Sequence, residues 1–174
     1  MKPLAISIVG RKGSGRSEVL VSLIRHLAAA RLRVGVIKHL AREDFEIDLP
    51  GKDTYEYRAQ GAGRVMISGK KRLAVFANLE EETALPELLR QFEDFDLVFL
   101  EGYFDDELPK IEIHRSKAGA LLATGISNVI AICTDEHESR PKDSSIPFFS
   151  FEEIASLALW IEHHLSSVRK EAHA

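Results

Sequence analysis

The chain has 174 residues, 45% hydrophobic and 29% charged, with a formal net charge of -4. That is enough for one domain with a full core and unlike a disordered segment, and the negative balance argues against non-specific nucleic-acid binding or an anionic membrane surface. A single cysteine, Cys133 in the apolar run NVIAIC, excludes an intrachain disulfide and a thiolate zinc site and reads as a buried thiol in a reduced, cytoplasmic protein.

No stretch approaches the about 20 apolar residues of a membrane span, and the N-terminus opens on a strand rather than a secretion signal. Residues 4–20, LAISIVGRKGSGRSEVL, run from that strand through a glycine-rich turn into a helix. Gly10, Gly13 and Gly15 allow successive N–H groups to turn inward at the positive end of the helix and cradle a phosphate. Against G-x-x-x-x-G-K-[ST] the match covers Gly10, Arg11, Lys12, Gly13, Ser14, Gly15, Arg16 and Ser17, with the Ser17 hydroxyl where a magnesium ligand is expected. Arg16 replaces the lysine of the pattern, and its planar fork is not interchangeable with a compact ammonium. Phosphate binding withstands that change better than catalysis. Arg11 holds the second position, where one branch of phosphate-loop proteins carries a lysine that reaches a nucleotide across a dimer interface.

The helix runs from about Arg16 to Ala30, with Val19, Leu20, Leu23, Ile24 and Leu27 at helical spacing. RVGVIK, from Arg33 to Lys38, is a second strand and completes a βαβ unit. A charged excursion follows, carrying His39, Asp44, Asp48 and Asp53, and loops at the carboxyl ends of parallel strands face the ligand in open α/β sheets. A short helix starts near Asp53 or Thr54, either of which could cap it. RVMIS and KRLAVF form a hairpin, read as an antiparallel edge of the sheet. A helix from about Thr83 to Phe92 covers the sheet.

FDLVFLEGY is the second informative strand. Glu101 stands at its end, where a Walker B carboxylate approaches magnesium through water, while Asp96 at the remote end has a structural role. PKIEIHR is a further strand, with His114 read as a partly exposed sheet residue. NVIAIC is the last buried strand and ends at Thr134 and Asp135. Asp135 is a candidate acceptor for a guanine edge, although the usual Asn-Lys-x-Asp signature is absent. A polar connection then leads to a terminal helix capped by Ser150 and Glu153, with Ile154, Leu157, Ala158, Ile161 and Leu165 as its buried stripe. The expected organisation is one nucleotide-binding domain over residues 1–167 and a polar tail over 168–174.

Three stretches, GRKGSGRS, RVGVIKH with DFEIDLPGKDTYEYRAQGA, and LVFLEGYFDDELPKIEIHR, together resemble the MobB family of molybdopterin-guanine dinucleotide biosynthesis adaptors. The likeness extends from Leu4 to about Asp135. It implies an α/β fold of the P-loop NTPase type, a mostly parallel central sheet flanked by helices with an antiparallel hairpin. It further implies a cytoplasmic homodimer that binds GTP and magnesium and assists a MobA-type guanylyltransferase, which attaches GMP to molybdopterin. Carried onto this chain, the phosphate cradle falls on Gly10 to Ser17, a loop block on Lys38, His39, Asp48, Lys52 and Asp53, and a carboxylate motif on Glu101, Gly102 and Tyr103. Family members carry lysine at the Arg16 position, and histidines where this chain has Leu40, Ala41, Arg42 and Glu43. Both departures bear on turnover more than on fold or partner role.

The catalytic candidates are therefore Arg16, Asp48 and Glu101, and the metal-side candidates Ser17, Asp48 and Glu101, with Asp53 as a further carboxylate. Loop amides and Arg16 would surround the β- and γ-phosphates. Two readings stay open: a weak GTPase or GTP-binding adaptor, and a non-hydrolysing partner-binding scaffold with a degenerate loop. A small-molecule kinase fits less well, because no arginine-rich lid follows the core.

Overall fold

The computed structural model describes residues 3–40, 45–46, 48–105, 107–136 and 145–171. Asp44 and the departures at Ala41, Arg42 and Glu43 lie outside these residues, as does most of the polar connection after Asp135. In chain order the elements are β1 (Leu4–Val9), α1 (Arg16–Ala29), β2 (Val34–Lys38), α2 (Asp53–Ala59), β3 (Arg64–Ser68), β4 (Leu73–Ala77), α3 (Leu85–Arg90), β5 (Leu97–Glu101), β6 (Lys110–His114), β7 (Val129–Thr134), β8 (Phe148–Phe149) and α4 (Ile154–Glu171). The chain forms two compact units, Met1–His39 with Leu89–Ala174, and Leu40–Leu88.

The larger unit is built on a six-stranded sheet in the order β2-β5-β1-β6-β7-β8, with every neighbouring pair parallel. Period-2 alternation sends Ile6, Ile8, Leu97, Phe99, Ile111, Ile113, Ala131 and Cys133 to one face, where they pack with the stripes of α1 and α4. Each fully buried Leu or Ile there contributes about 1.5–3 kcal/mol. All five stripe residues expected on α4 are buried. Its entry has the expected capping box on Ser150 and Glu153, although the first turn, Phe151–Glu153, is 3-10. The helix continues through residues 168–171, where a polar tail was expected, and Arg169 pairs with Asp96 at 2.6 Å. Burial among these apolar residues pushes the Cys133 thiol up to about 12.

The opposite face mixes buried apolar residues, Val9, Val98, Leu100 and Ile132, with buried polar ones: Ser7, Lys110, Glu112, His114 and Thr134 are each under 5% exposed. Residues 115–128 cross between β6 and β7 with only a 3-10 turn, Ser116–Ala118. Such a strap has buried N–H groups and no ladder to satisfy them. Strand side chains do it instead: Glu112 accepts from Leu122 N–H at 2.6 Å and Ala123 N–H at 2.7 Å. His114 Nε2 lies 2.8 Å from the Gly119 carbonyl and Nδ1 2.9 Å from Thr134 Oγ1. A carbonyl can only accept, so Nε2 donates to Gly119, while Nδ1 shares a hydrogen bond with the Thr134 hydroxyl, which itself accepts from Glu136 N–H at 3.0 Å. His114 is thus enclosed rather than partly exposed, because the strap lies over it.

Four other expectations change. The hairpin β3–β4 is a separate two-stranded antiparallel sheet, not an edge of the main one; β8 adds a short strand after β7, which is therefore not the last. Helix α3 spans Leu85–Arg90 and buries none of its residues. In the smaller unit α2 is entered from Lys52 with no side-chain cap, so Asp53 lies in the first turn, where its charge suits the dipole. Hairpin positions Val65 and Phe76 are cross-strand partners. Met66, Leu73 and Val75 occupy the opposite hairpin face and stand exposed.

Candidate functional site

Because the six strands are parallel, their carboxyl ends share one edge, the usual ligand edge of an open α/β sheet. The glycine-rich loop lies there between β1 and α1. A Cβ at Gly10 would stand 2.3 Å from the Ile113 carbonyl oxygen and 2.6 Å from Ser14 Oγ, so only glycine lets the loop pass the end of β6. Gly15, left-handed at φ 88, is the N-cap of α1 and brings no side-chain cap. The first-turn N–H groups are left to face a ligand. Ser14 Oγ is buried and has no hydrogen-bond partner among the described residues. An orphaned hydroxyl in a glycine-floored cradle fits a phosphate oxygen.

Glu101 closes the site from β5. It is the Cα partner of Ile8 on one side and of Lys38 on the other. The Ser17 hydroxyl donates to its Oε1 at 3.0 Å, and Lys38 Nζ lies 3.4 Å from its Oε2. Magnesium takes hard oxygens, few from protein and the rest from water and phosphate. Ser17 and Glu101 are such a pair.

The exit of β2 is tied to the same place. His39 N–H donates to the Glu101 carbonyl at 2.8 Å, and the His39 and Tyr103 rings are 5.3 Å apart. Gly102 has φ 93, and a Cβ there would meet the His39 carbonyl oxygen at 2.9 Å. The glycine of the EGY stretch is therefore required by the passing β2 strand. Ser7 Oγ also donates to the Tyr103 carbonyl.

The other candidates have definite partners. Arg11 Nε donates to the Ala120 carbonyl at 2.9 Å, joining the loop to the strap. Lys12 is exposed. The stem of Arg16 lies along the loop floor, its Cγ 3.3 Å from the Gly10 Cβ position. Asp135 accepts from Ser116 N–H at 2.8 Å and from Ser116 Oγ at 3.2 Å; the backbone bond from Ser116 holds it below the ordinary carboxylate range. A guanine edge would compete with Ser116 for it. Asp48 and Asp53 belong to the smaller unit, where Asp48 Oδ2 faces Arg58 Nε at 4.0 Å and Glu46 takes the Arg58 guanidinium at 2.6 Å.

Two cations gain partners that local sequence does not show. Lys38 meets Glu101 only through the β2–β5 pairing, a contact 63 residues apart in the chain. Arg115, just after β6, stacks on Phe151 at 4.2 Å and reaches Glu18 of α1 at 3.4 Å. Its position after a strand that neighbours β1 is the signal that could have marked it.

The comparisons agree with this architecture. The MobB family model, described as Molybdopterin guanine dinucleotide synthesis protein B, matches residues 5–135. The molybdopterin-guanine dinucleotide biosynthesis adapter protein of Haemophilus influenzae is 30% identical over 169 residues, covering 94% of this chain and 92% of that protein. The Escherichia coli protein of the same description is 35% identical over 123 residues, covering 68% of this chain and 69% of its own length. A crystal structure of molybdopterin-guanine biosynthesis protein B superposes with a TM-score of 0.72 at 23% identity, covering 94% of this chain and 99% of the other. The MobB homologue from Bacillus stearothermophilus gives 0.69 at 20% identity, over 94% and 98%. At that identity the two structures speak for the fold.

Proposed function

We propose, because this chain belongs to the MobB family of molybdopterin guanine dinucleotide synthesis proteins, that it is a GTP-binding adaptor in molybdenum cofactor biosynthesis. It assists a MobA-type guanylyltransferase that joins GMP to molybdopterin, and it works in the cytoplasm as a homodimer. The observation that carries the nucleotide reading is the Ser17–Glu101 pair at 3.0 Å beside a cradle whose buried Ser14 hydroxyl has no partner among the described residues. The exposed apolar face of Met66, Leu73 and Val75 supports self-association, since an isolated hairpin is marginal in water.

Loop amides and the α1 N-terminus bind the phosphates, Arg16 adds charge beside them, and Ser17 and Glu101 hold magnesium. When bound, that ion neutralises charge on the β- and γ-phosphate oxygens. Arg16 favours a second reading in which the loop binds nucleotide without turnover and the protein acts through partner binding alone.

A reconstituted guanylyltransferase assay tests the role. Addition of this protein with GTP should raise the yield of guanine dinucleotide, and no change would count against it. Phosphate release by the wild type and by Arg16→Lys separates the two readings: turnover gained only in the variant places the difference at Arg16.

A further inference from the structure

We propose that Lys38 is the mobile cation of this site: it neutralises Glu101 when no nucleotide is bound and carries its ammonium to the terminal phosphate when one is. This inference rests on the nucleotide-binding reading above. The lysine that the loop pattern expects is a point charge, and Arg16 in its place is broad and forked. A point charge is nevertheless present at the rim. Parallel register puts Lys38 beside Glu101 at the carboxyl ends of β2 and β5, so its place is set by the sheet rather than by a loose surface encounter.

Glu101 is thereby held between two donors, Ser17 Oγ at 3.0 Å on one oxygen and Lys38 Nζ at 3.4 Å on the other. The two partners differ in freedom. The Glu101 side chain is 12% exposed and the Lys38 side chain 54%, so the carboxylate stays and the ammonium can swing on its four-carbon stem. Their separation exceeds the about 2.7–2.9 Å of a tight charge-assisted bond, and the exposed ammonium can exchange it for another anionic oxygen. Lys38 releases Glu101 to the metal and gains a phosphate oxygen in exchange. The charge at the rim stays balanced in both states.

Two consequences distinguish this from a merely structural ion pair. Lys38 contributes to triphosphate binding more than to diphosphate binding, and it competes with magnesium for Glu101. The test is calorimetry on the wild type, Lys38→Met and Lys38→Arg, with GTP, GDP and GMP in chelator, and with magnesium alone. Lys38→Met should weaken GTP about tenfold, leave GMP unchanged, and lower the magnesium concentration needed to half-saturate the nucleotide-free protein; Lys38→Arg should restore part of the GTP affinity. Equal weakening of GTP, GDP and GMP, or no weakening while the wild type binds GTP, would overturn the assignment alone. A wild type that binds neither GTP nor ATP would remove the nucleotide reading and this assignment with it.

Discussion

The two faces of the six-stranded sheet are both buried at its centre, by different means. On one, α1 and α4 bury a continuous apolar layer from Ile6 across to Cys133. On the other, residues 115–128 lie over buried Glu112, His114 and Thr134 and are held there by hydrogen bonds. The helix face is non-directional and tolerant of sliding; the strap face is directional and fixes positions. The difference reaches the candidate site, because the strap carries the Ala120 carbonyl that takes Arg11 of the glycine-rich loop. Both faces bury apolar side chains, Val98 and Leu100 among them on the strap side, and the strap face adds the directional bonds that place the loop.

The largest effect should come from breaking the apolar face. Leu157→Ala, at a position with no exposure, should cost about 3 kcal/mol through lost burial and a cavity, read as a lower urea midpoint with the slope kept. Nucleotide affinity of the remaining folded protein should hardly move.

Next is Glu112→Gln on the strap face. A neutral side-chain amide can accept one of the two N–H groups and turns its own NH2 toward the other, so the loss should be about 2 kcal/mol. Hydrogen exchange should show protection falling first at Leu122 and Ala123. Protection lost uniformly across the sheet would mean that the strap is not a separate device.

The smallest effect concerns the charged hem of the helix face. Asp96 accepts from Arg33 N–H at 2.8 Å and pairs with Arg169 of α4. The Arg33 backbone bond, and after it Arg169, keep Asp96 below its ordinary 3.8 against the opposing pull of burial. A carboxyl depressed in the folded state stabilises above its unfolded value, and the gain is lost as pH falls through the folded one. Asp96→Asn should therefore cost about 1 kcal/mol at neutral pH, with the two stability curves converging below about pH 4. A constant offset down to the lowest pH would contradict the assignment.

The same contrast explains what the sequence made legible. The strand, loop and helix from Leu4 to Ala29 are specified locally, by alternation, glycines and helical spacing, and so is the α4 stripe with its Ser150–Glu153 box. Contacts set by strand pairing were not visible. The hairpin was placed on the sheet because its turn and alternation say nothing about neighbours, and two-residue β8 is too short to have a period. His114 was read as partly exposed because nothing in 115–128 announces that it folds back over β6. The glycine-rich turn and the strand ending at Glu101 could be read from their motifs, and the structure adds the contact between Ser17 and Glu101. The resemblance places Lys38 in the loop block, but its contact with Glu101 depends on β2 lying next to β5.

The most direct test of the account is calorimetric titration of the purified protein with GTP, and then ATP, in the presence of magnesium. The account predicts saturable binding of one GTP per chain, weakened when Ser17→Ala removes the hydroxyl beside Glu101. Absence of binding by either nucleotide would contradict it, and leave the loop of Gly10 to Ser17 as a structural turn in a partner-binding protein.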